Sequence, residues 1–220
     1  SGITANADMY LTPDTMIQAS EDCGFRTTVI GAVNDFTQSV KEVENWYEKY
    51  HKEDGLTSYE LGFHAEYTTK REILEDISEL SKKYHAPIYT HNSESASEVA
   101  QCVERTGMTP TVYMEQLGLF EYGGGLYHCV HMSEEDLDVV KRHQISVITN
   151  PASNLKLASG IAPIEEMLKR NIDLAIGTDG PASNNCLDMF REMFLVTALA
   201  KYRENDASAV DAAEVLKMAI

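Results

Sequence analysis

Pro87-Ile88-Tyr89-Thr90-His91-Asn92-Ser93-Glu94 reads as a short apolar strand that ends in polar, ionisable side chains. The same design recurs along the chain. Strands are expected at roughly 3–8, 26–33, 56–63, 87–91, 125–130, 145–149 and 172–177, each a short run rich in apolar and β-branched residues. Between them lie helical stretches. Thr12-Pro13 looks like an N-cap and first turn, with Gly24 closing that helix. Val40, Val43, Trp46, Tyr47 and Tyr50 share one helical face, as do Ile73, Leu74, Ile77, Leu80 and Tyr84. Ser133 with Asp136 resembles a weak capping box, Pro163 to Leu168 begins another helix, and Leu187, Phe190, Met193 and Phe194 mark the last long one.

Strands that alternate with helices and are apolar on both faces imply a parallel sheet covered by helices. An open doubly wound sheet and a closed barrel both fit that description. No G-x-G-x-x-G follows the first strand, and Gly123-Gly124-Gly125 precedes a strand instead of opening a helix. His64, His91, His128, Asn150 and Asp179 each fall at or just past the C-terminal end of a different strand. In a barrel those ends converge on one mouth; in an open sheet they would string out along an edge. The expected fold is therefore α/β, a (β/α)8 TIM-type barrel that is incomplete, with seven β/α units visible and the first strand missing. Residues 1–220 are read as one partial barrel domain. Residue 1 is Ser, which fits the expectation that this is a piece of a longer protein.

The chain has 220 residues, 43% hydrophobic and 24% charged, an ordinary globular mix that excludes a disordered or collagenous chain. Its net charge of -17 repels phosphate backbones, so neither nucleic acid nor an anionic membrane is an expected partner. No apolar run is long enough to span a bilayer. Cys23, Cys102, Cys129 and Cys186 form no C-x-x-C pair, which points to reduced thiols and a cytoplasmic location.

Chemistry concentrates in four places. His91 can ligate a metal as neutral imidazole, and Glu94 three residues on can act as acid or base beside it. Taken alone, an exposed His and a solvated Glu would look the same. In Leu126-Tyr127-His128-Cys129-Val130-His131, strand alternation lets only one histidine face the mouth, and apolar neighbours favour His128. A satisfied core His is the alternative. In Ala175-Ile176-Gly177-Thr178-Asp179-Gly180 the Asp either caps a turn or binds a metal and takes a proton from its bound water. Thr149-Asn150-Pro151-Ala152-Ser153-Asn154 is a polar turn at the mouth, with Asn154 its candidate substrate contact, or simply a well-built loop.

In this order, T-H-N-S-E, H-C-V-H, N-P-A-S-N-L-K-L and G-T-D-G-P-A-S-N-N resemble the amidohydrolase superfamily. The branch they resemble most is that of metal-dependent deaminases of S-adenosylhomocysteine, 5'-methylthioadenosine and adenosine, with the related chlorohydrolases. The resemblance runs from Gly2 to the C-terminus. It implies that His91 is a metal ligand, Asp179 a ligand and base, Glu94 the proton shuttle to a purine ring nitrogen, and His128 the residue that orients the attacking hydroxide. It also implies that His64, in His64-Ala65-Glu66-Tyr67, contacts substrate, although the family usually carries Pro where this chain has Glu66.

One departure stands out. The family's H-x-H on the first barrel strand is absent: the histidines here are 51, 64, 85, 91, 128, 131 and 143. The resemblance implies one divalent metal, zinc first with iron or manganese as alternatives, but with two family ligands missing the chain is expected to be metal-poor and inactive by itself. The expected partner is a small-molecule substrate, and unpaired sheet edges are compatible with a homo-oligomer. Competing readings are another amidohydrolase cutting a guanine-, cytosine- or triazine-like C–N or C–Cl bond, and a non-catalytic barrel module.

Overall fold

Every one of the seven apolar runs forms a strand in the computed structural model, which describes residues 2–220. They are β1 (Ala5–Met9), β2 (Arg26–Ile30), β3 (Thr57–Ala65), β4 (Ile88–Asn92), β5 (Gly124–His128), β6 (Ser146–Thr149) and β7 (Leu174–Ile176). The strands take chain order in one sheet. Their registers are parallel, with Ala7 opposite Thr28, Val29 opposite Tyr59, Leu126 opposite Val147 and Ile148 opposite Ala175. Parallel strands in sequence order, each followed by helix, make this an incomplete (β/α)8 TIM-type barrel. The helices are α1 (Pro13–Cys23), α2 (Val40–Tyr50), α3 (Arg71–Tyr84), α4 (Ala96–Thr106), α5 (Pro110–Gln116), α6 (Glu134–Arg142), α7 (Pro151–Lys156), α8 (Ile164–Lys169), α9 (Pro181–Asn184), α10 (Met189–Glu204) and α11 (Ala212–Met218).

The chain divides into two compact units. The first holds Ile3–Thr90 and Met114–Gly124. Val29 and Ile30 of β2, Tyr59, Leu61 and Phe63 of β3, and Leu74 and Ile77 of α3 are fully buried there. Tyr59 apart, each such side chain contributes about 1.5–3 kcal/mol relative to exposure. The glycine run before β5 has a steric cause. A Cβ on Gly124 would lie 1.8 Å from the Ile88 carbonyl oxygen, and Gly124 has φ +138°, so no other residue lets β5 start against β4. The second unit holds Gly2, His91–Tyr113 and Gly125–Ile220. Its core is built from Leu126, Val147 and Ile176 of the strands, Leu137 and Val140 of α6 and Met167 of α8.

Helix ends follow local rules with two differences from expectation. Thr12 makes no side-chain cap bond, so Pro13 alone sets the start of α1, while Gly24 closes it in the left-handed conformation. Ser133 and Asp136 form a complete reciprocal capping box despite the shorter acid. Ser95 and Glu98 form another, and it opens α4, which the apolar pattern alone does not reveal.

The last long helix, α10, forms where its apolar residues mark it, with an orientation the pattern does not give. Phe190 and Phe194 face outward, 69% and 67% exposed, and Leu187 lies before the helix. The face turned inward carries Glu192, Val196 and Ala200. A carboxylate is buried where phenylalanines are not because it has hydrogen-bond donors to meet there. Among the described residues, no helix is long and apolar enough to cross a membrane.

Candidate active site

β4 ends at Asn92, and the chain turns sharply at Ser93, whose φ is +49°. Glu98, one turn into α4, holds that corner. Its Oε1 accepts the Ser93 amide at 2.9 Å, and its Oε2 accepts the Glu94 and Ser95 amides at 2.9 and 3.3 Å. Burial pushes the Glu98 carboxyl up, outweighing those three amides, which pull it down. This corner fixes the backbone on either side of Glu94.

His91 on β4 and His128 at the end of β5 stack, ring centroids 5.4 Å apart and 24° from coplanar, with Tyr127 flanking His91 at 5.3 Å. His128 is 1% exposed. Its Nδ1 lies 2.7 Å from Asn154 Oδ1. A carbonyl oxygen can only accept, so the proton of this pair is on Nδ1. That leaves Nε2 toward Glu94, whose Oε2 is 3.8 Å away. The other Glu94 oxygen accepts from the Ser159 hydroxyl at 3.1 Å, and the Ser159 carbonyl in turn meets His131 Nε2 at 2.7 Å. His131 thus braces the loop while His128 faces Glu94; β5 ends at His128, so strand alternation does not reach His131 and the turn after the strand sets this division. Neighbouring Cys129 is fully buried and its thiol is pushed up to about 12 by that burial, so it is not a nucleophile.

Asp179 follows β7. Ser153 Oγ donates to its Oδ2 at 2.5 Å and the Gly180 amide to its Oδ1 at 2.6 Å. Partial burial works to raise this carboxyl, but Ser153, Gly180, Ser183 and the charge of His128 outweigh it and hold the group below the usual carboxylate value. Gly177, two residues earlier, allows a close approach: a Cβ there would sit 2.3 Å from Asn150 Oδ1, and that side chain would have to move.

His128 at +70°, Asp179 at +59° and Ser93 at +49° all have left-handed backbone. His85 and Asn205, which also have positive φ, are helix C-caps, where this is ordinary. At the ends of strands it costs about 1–3 kcal/mol and tends to mark functional positions.

Of the sequence candidates, His91, Glu94, His128, Asn154 and Asp179 all belong to the second unit. Asn154 is 2% exposed and spends its side-chain oxygen on His128. His64 belongs to the first unit, where its Nδ1 lies 2.8 Å from Thr68 Oγ1 and its carbonyl accepts from Thr90 Oγ1 at 3.2 Å. Ser153, Ser159 and Glu98 were not singled out by sequence reasoning. The S-x-x-E spacing from Ser95 could have revealed Glu98, but the partners of Ser153 and Ser159 are 26 and 65 residues distant.

His91 and Asp179 carry donors suited to a divalent metal. A structural or catalytic zinc takes three or more protein ligands, and among the described residues no group of three or more His, Cys, Asp or Glu side chains could hold a metal ion. The described residues therefore do not complete a metal site.

The profile of the amidohydrolase family matches residues 1–219. The 5-methylthioadenosine/S-adenosylhomocysteine deaminase of Caldanaerobacter subterraneus subsp. tengcongensis is 40% identical over 228 residues, covering 100% of this chain and 52% of that protein. The 5'-deoxyadenosine deaminase of Methanopyrus kandleri is 35% identical over 225 residues, covering 100% of this chain and 52% of that protein. A crystal structure of an adenosine deaminase from Xanthomonas campestris with bound zinc superposes with a TM-score of 0.92 at 33% identity, over 98% of this chain and 51% of that one. The chain spans about half the length of the relatives it matches.

Proposed function

The chain belongs to the amidohydrolase family, and we propose that it supplies the proton-handling part of an enzyme that hydrolyses the exocyclic C–N bond of an aminopurine nucleoside of the adenosine, 5'-methylthioadenosine or S-adenosylhomocysteine type. Relatives named for 5-methylthioadenosine and S-adenosylhomocysteine, for 5'-deoxyadenosine and for adenosine support the class. The observation that carries the mechanism is the fixed His128–Glu94 pair, with Nδ1 pinned by Asn154 and Nε2 toward the carboxylate.

Deamination needs a water deprotonated as it attacks, a ring nitrogen protonated so that the adjacent carbon accepts the attack, and a proton for departing ammonia. Asp179, held ionised by Ser153 and Gly180, takes the proton from water and passes it to the leaving amine. Glu94 donates its proton to the ring nitrogen and takes back the hydroxyl proton of the adduct as the C–N bond breaks, and Ser159 keeps its carboxyl oriented. His128 offers Nε2 to the attacking oxygen. His64 contacts substrate in this reading, and Asn154 acts on the pocket through His128. Water and nucleoside enter, hypoxanthine-type nucleoside and ammonia leave, and no proton is gained or lost by the protein.

The family's metal dependence belongs to the complete enzyme, with His91 and Asp179 the ligands this chain offers and zinc the first choice over iron or manganese. We treat residues 1–220 as one partial barrel domain that is inert by itself. A reducing, cytoplasmic setting suits the exposed thiols of Cys23 and Cys186. The charge of -17 disfavours nucleic acid and membranes as partners, and the outward phenylalanines of α10 favour a homo-oligomer.

The test is a chimera in which this chain replaces the matched half of the Caldanaerobacter deaminase. Ammonia release from 5'-methylthioadenosine, S-adenosylhomocysteine or adenosine is the expected result. A folded, zinc-loaded chimera that leaves all three untouched, or acts only on a triazine, overturns the proposal.

A further inference from the structure

Glu192 lies in α10, 13 residues beyond Asp179, and has no solvent exposure at all. An isolated carboxylate in such a place is strongly disfavoured unless donors meet it. Two do. Its Oε2 accepts the Ala152 amide at 3.0 Å, and its Oε1 accepts Asn184 Nδ2 at 2.9 Å. Both donors lead directly to the site. Ala152 precedes Ser153, which donates to Asp179, and Asn154, which pins His128. Asn184 Nδ2 also donates to the Thr178 carbonyl at 2.7 Å, the residue immediately before Asp179. On the exposed side, Lys156 Nζ joins the same two loops by donating to the Ala182 carbonyl at 2.7 Å and to Asn185 Oδ1.

We propose that Glu192 is a positioning residue: its buried carboxylate clips the loop after β6 to the loop after β7, and so sets Asp179 against Ser153 and holds Asn154 on His128. No chemistry passes through it. Its two oxygens are each committed to a different loop, so the distance between those loops is fixed by the width of one carboxylate. Glutamine cannot reproduce this. Its oxygen can serve one loop, but its amide then presents hydrogens to a donor on the other. Asn184 cannot turn to compensate, because its Oδ1 already accepts the Cys186 amide at 3.2 Å.

The catalytic consequence rests on the deaminase reading above; the clip itself does not. Amide hydrogen exchange on the 220-residue chain tests the clip. In Glu192→Gln, exchange should rise about tenfold in residues 150–154 and 178–184, the factor expected for losing one hydrogen bond to a charged group. Strands β2 and β3 should be unchanged. In Asn184→Ala, which removes only one arm, the rise should be confined to 178–184. Unchanged exchange in both segments, or an equal rise throughout the chain, overturns the clip. In the chimera, Glu192→Gln should lower kcat about a hundredfold with KM little changed, as for an ångström-scale misplacement of a reacting group. An unaltered kcat beside the local exchange change overturns the positioning role. If even the unsubstituted chimera is inactive, the deaminase reading falls while the exchange result still decides the clip.

Discussion

The corner after β4 and the corner after β7 each deliver a candidate proton carrier, and each depends on a buried glutamate, yet the two are held in different ways. Glu98 meets the amides of Ser93, Glu94 and Ser95, all within five residues of itself. Glu192 meets Ala152, 40 residues away, and Asn184, eight away. The first corner is a local motif, an extended capping box whose partners are neighbours in any conformation of the chain. The second exists only once β6, β7 and α10 have come together. Short-range ties lose little chain entropy on closing, whereas long-range ones are formed at the cost of ordering everything between. The β7 corner should therefore be the more easily disrupted.

Substitutions can break this contrast or sharpen it. Glu192→Leu should have the largest effect: it leaves the Ala152 amide and one of the two Asn184 Nδ2 hydrogens buried without an acceptor, a loss of about 2–5 kcal/mol in a urea titration. Gly177→Ala, acting on the same corner, puts a methyl 2.3 Å from Asn150 Oδ1 and should cost about 1–3 kcal/mol. Glu98→Ala should cost less, about 1–2 kcal/mol, the usual loss for a helix cap, because its ties are all local. A loss for Glu98→Ala equal to or above that of Glu192→Leu would contradict the distinction between local and tertiary ties.

The smallest effects are in pH dependence. Burial raises the Glu98 carboxyl, so the folded chain binds an extra proton between the unfolded value of about 4.3 and the folded one. Its contribution to stability is present in acid and lost as pH rises through that window. Asp179 is lowered, so its contribution is present above about 3.9 and lost as pH falls. Urea midpoints followed from pH 3 to 7 should show Glu98→Gln and Asp179→Asn changing the slope in opposite senses.

The same contrast explains what could be read in the sequence. The seven strands and the residues at their ends were legible because an apolar run ending in His, Asn or Asp is contiguous, and Ser95 with Glu98 was legible in principle for the same reason. The long motifs around Asn154 and Asp179 also carried the family. What was not legible were the ties between distant segments: Ser159 to Glu94, Asn154 to His128 and Glu192 to Ala152. The existence of helix α10 was legible but its orientation was not, for a physical reason. Phe190 and Phe194 dominate its pattern, but hydrogen bonding, which no hydropathy pattern records, turns Glu192 inward instead.

The left-handed backbone at Ser93, His128 and Asp179 has a consequence for laboratory evolution. Glycine at any of these positions would relax the main chain, so a screen for heat tolerance would reach them early. Variants recovered that way should survive warming better and turn over more slowly, since each such relief removes the side chain that the local contortion exists to present.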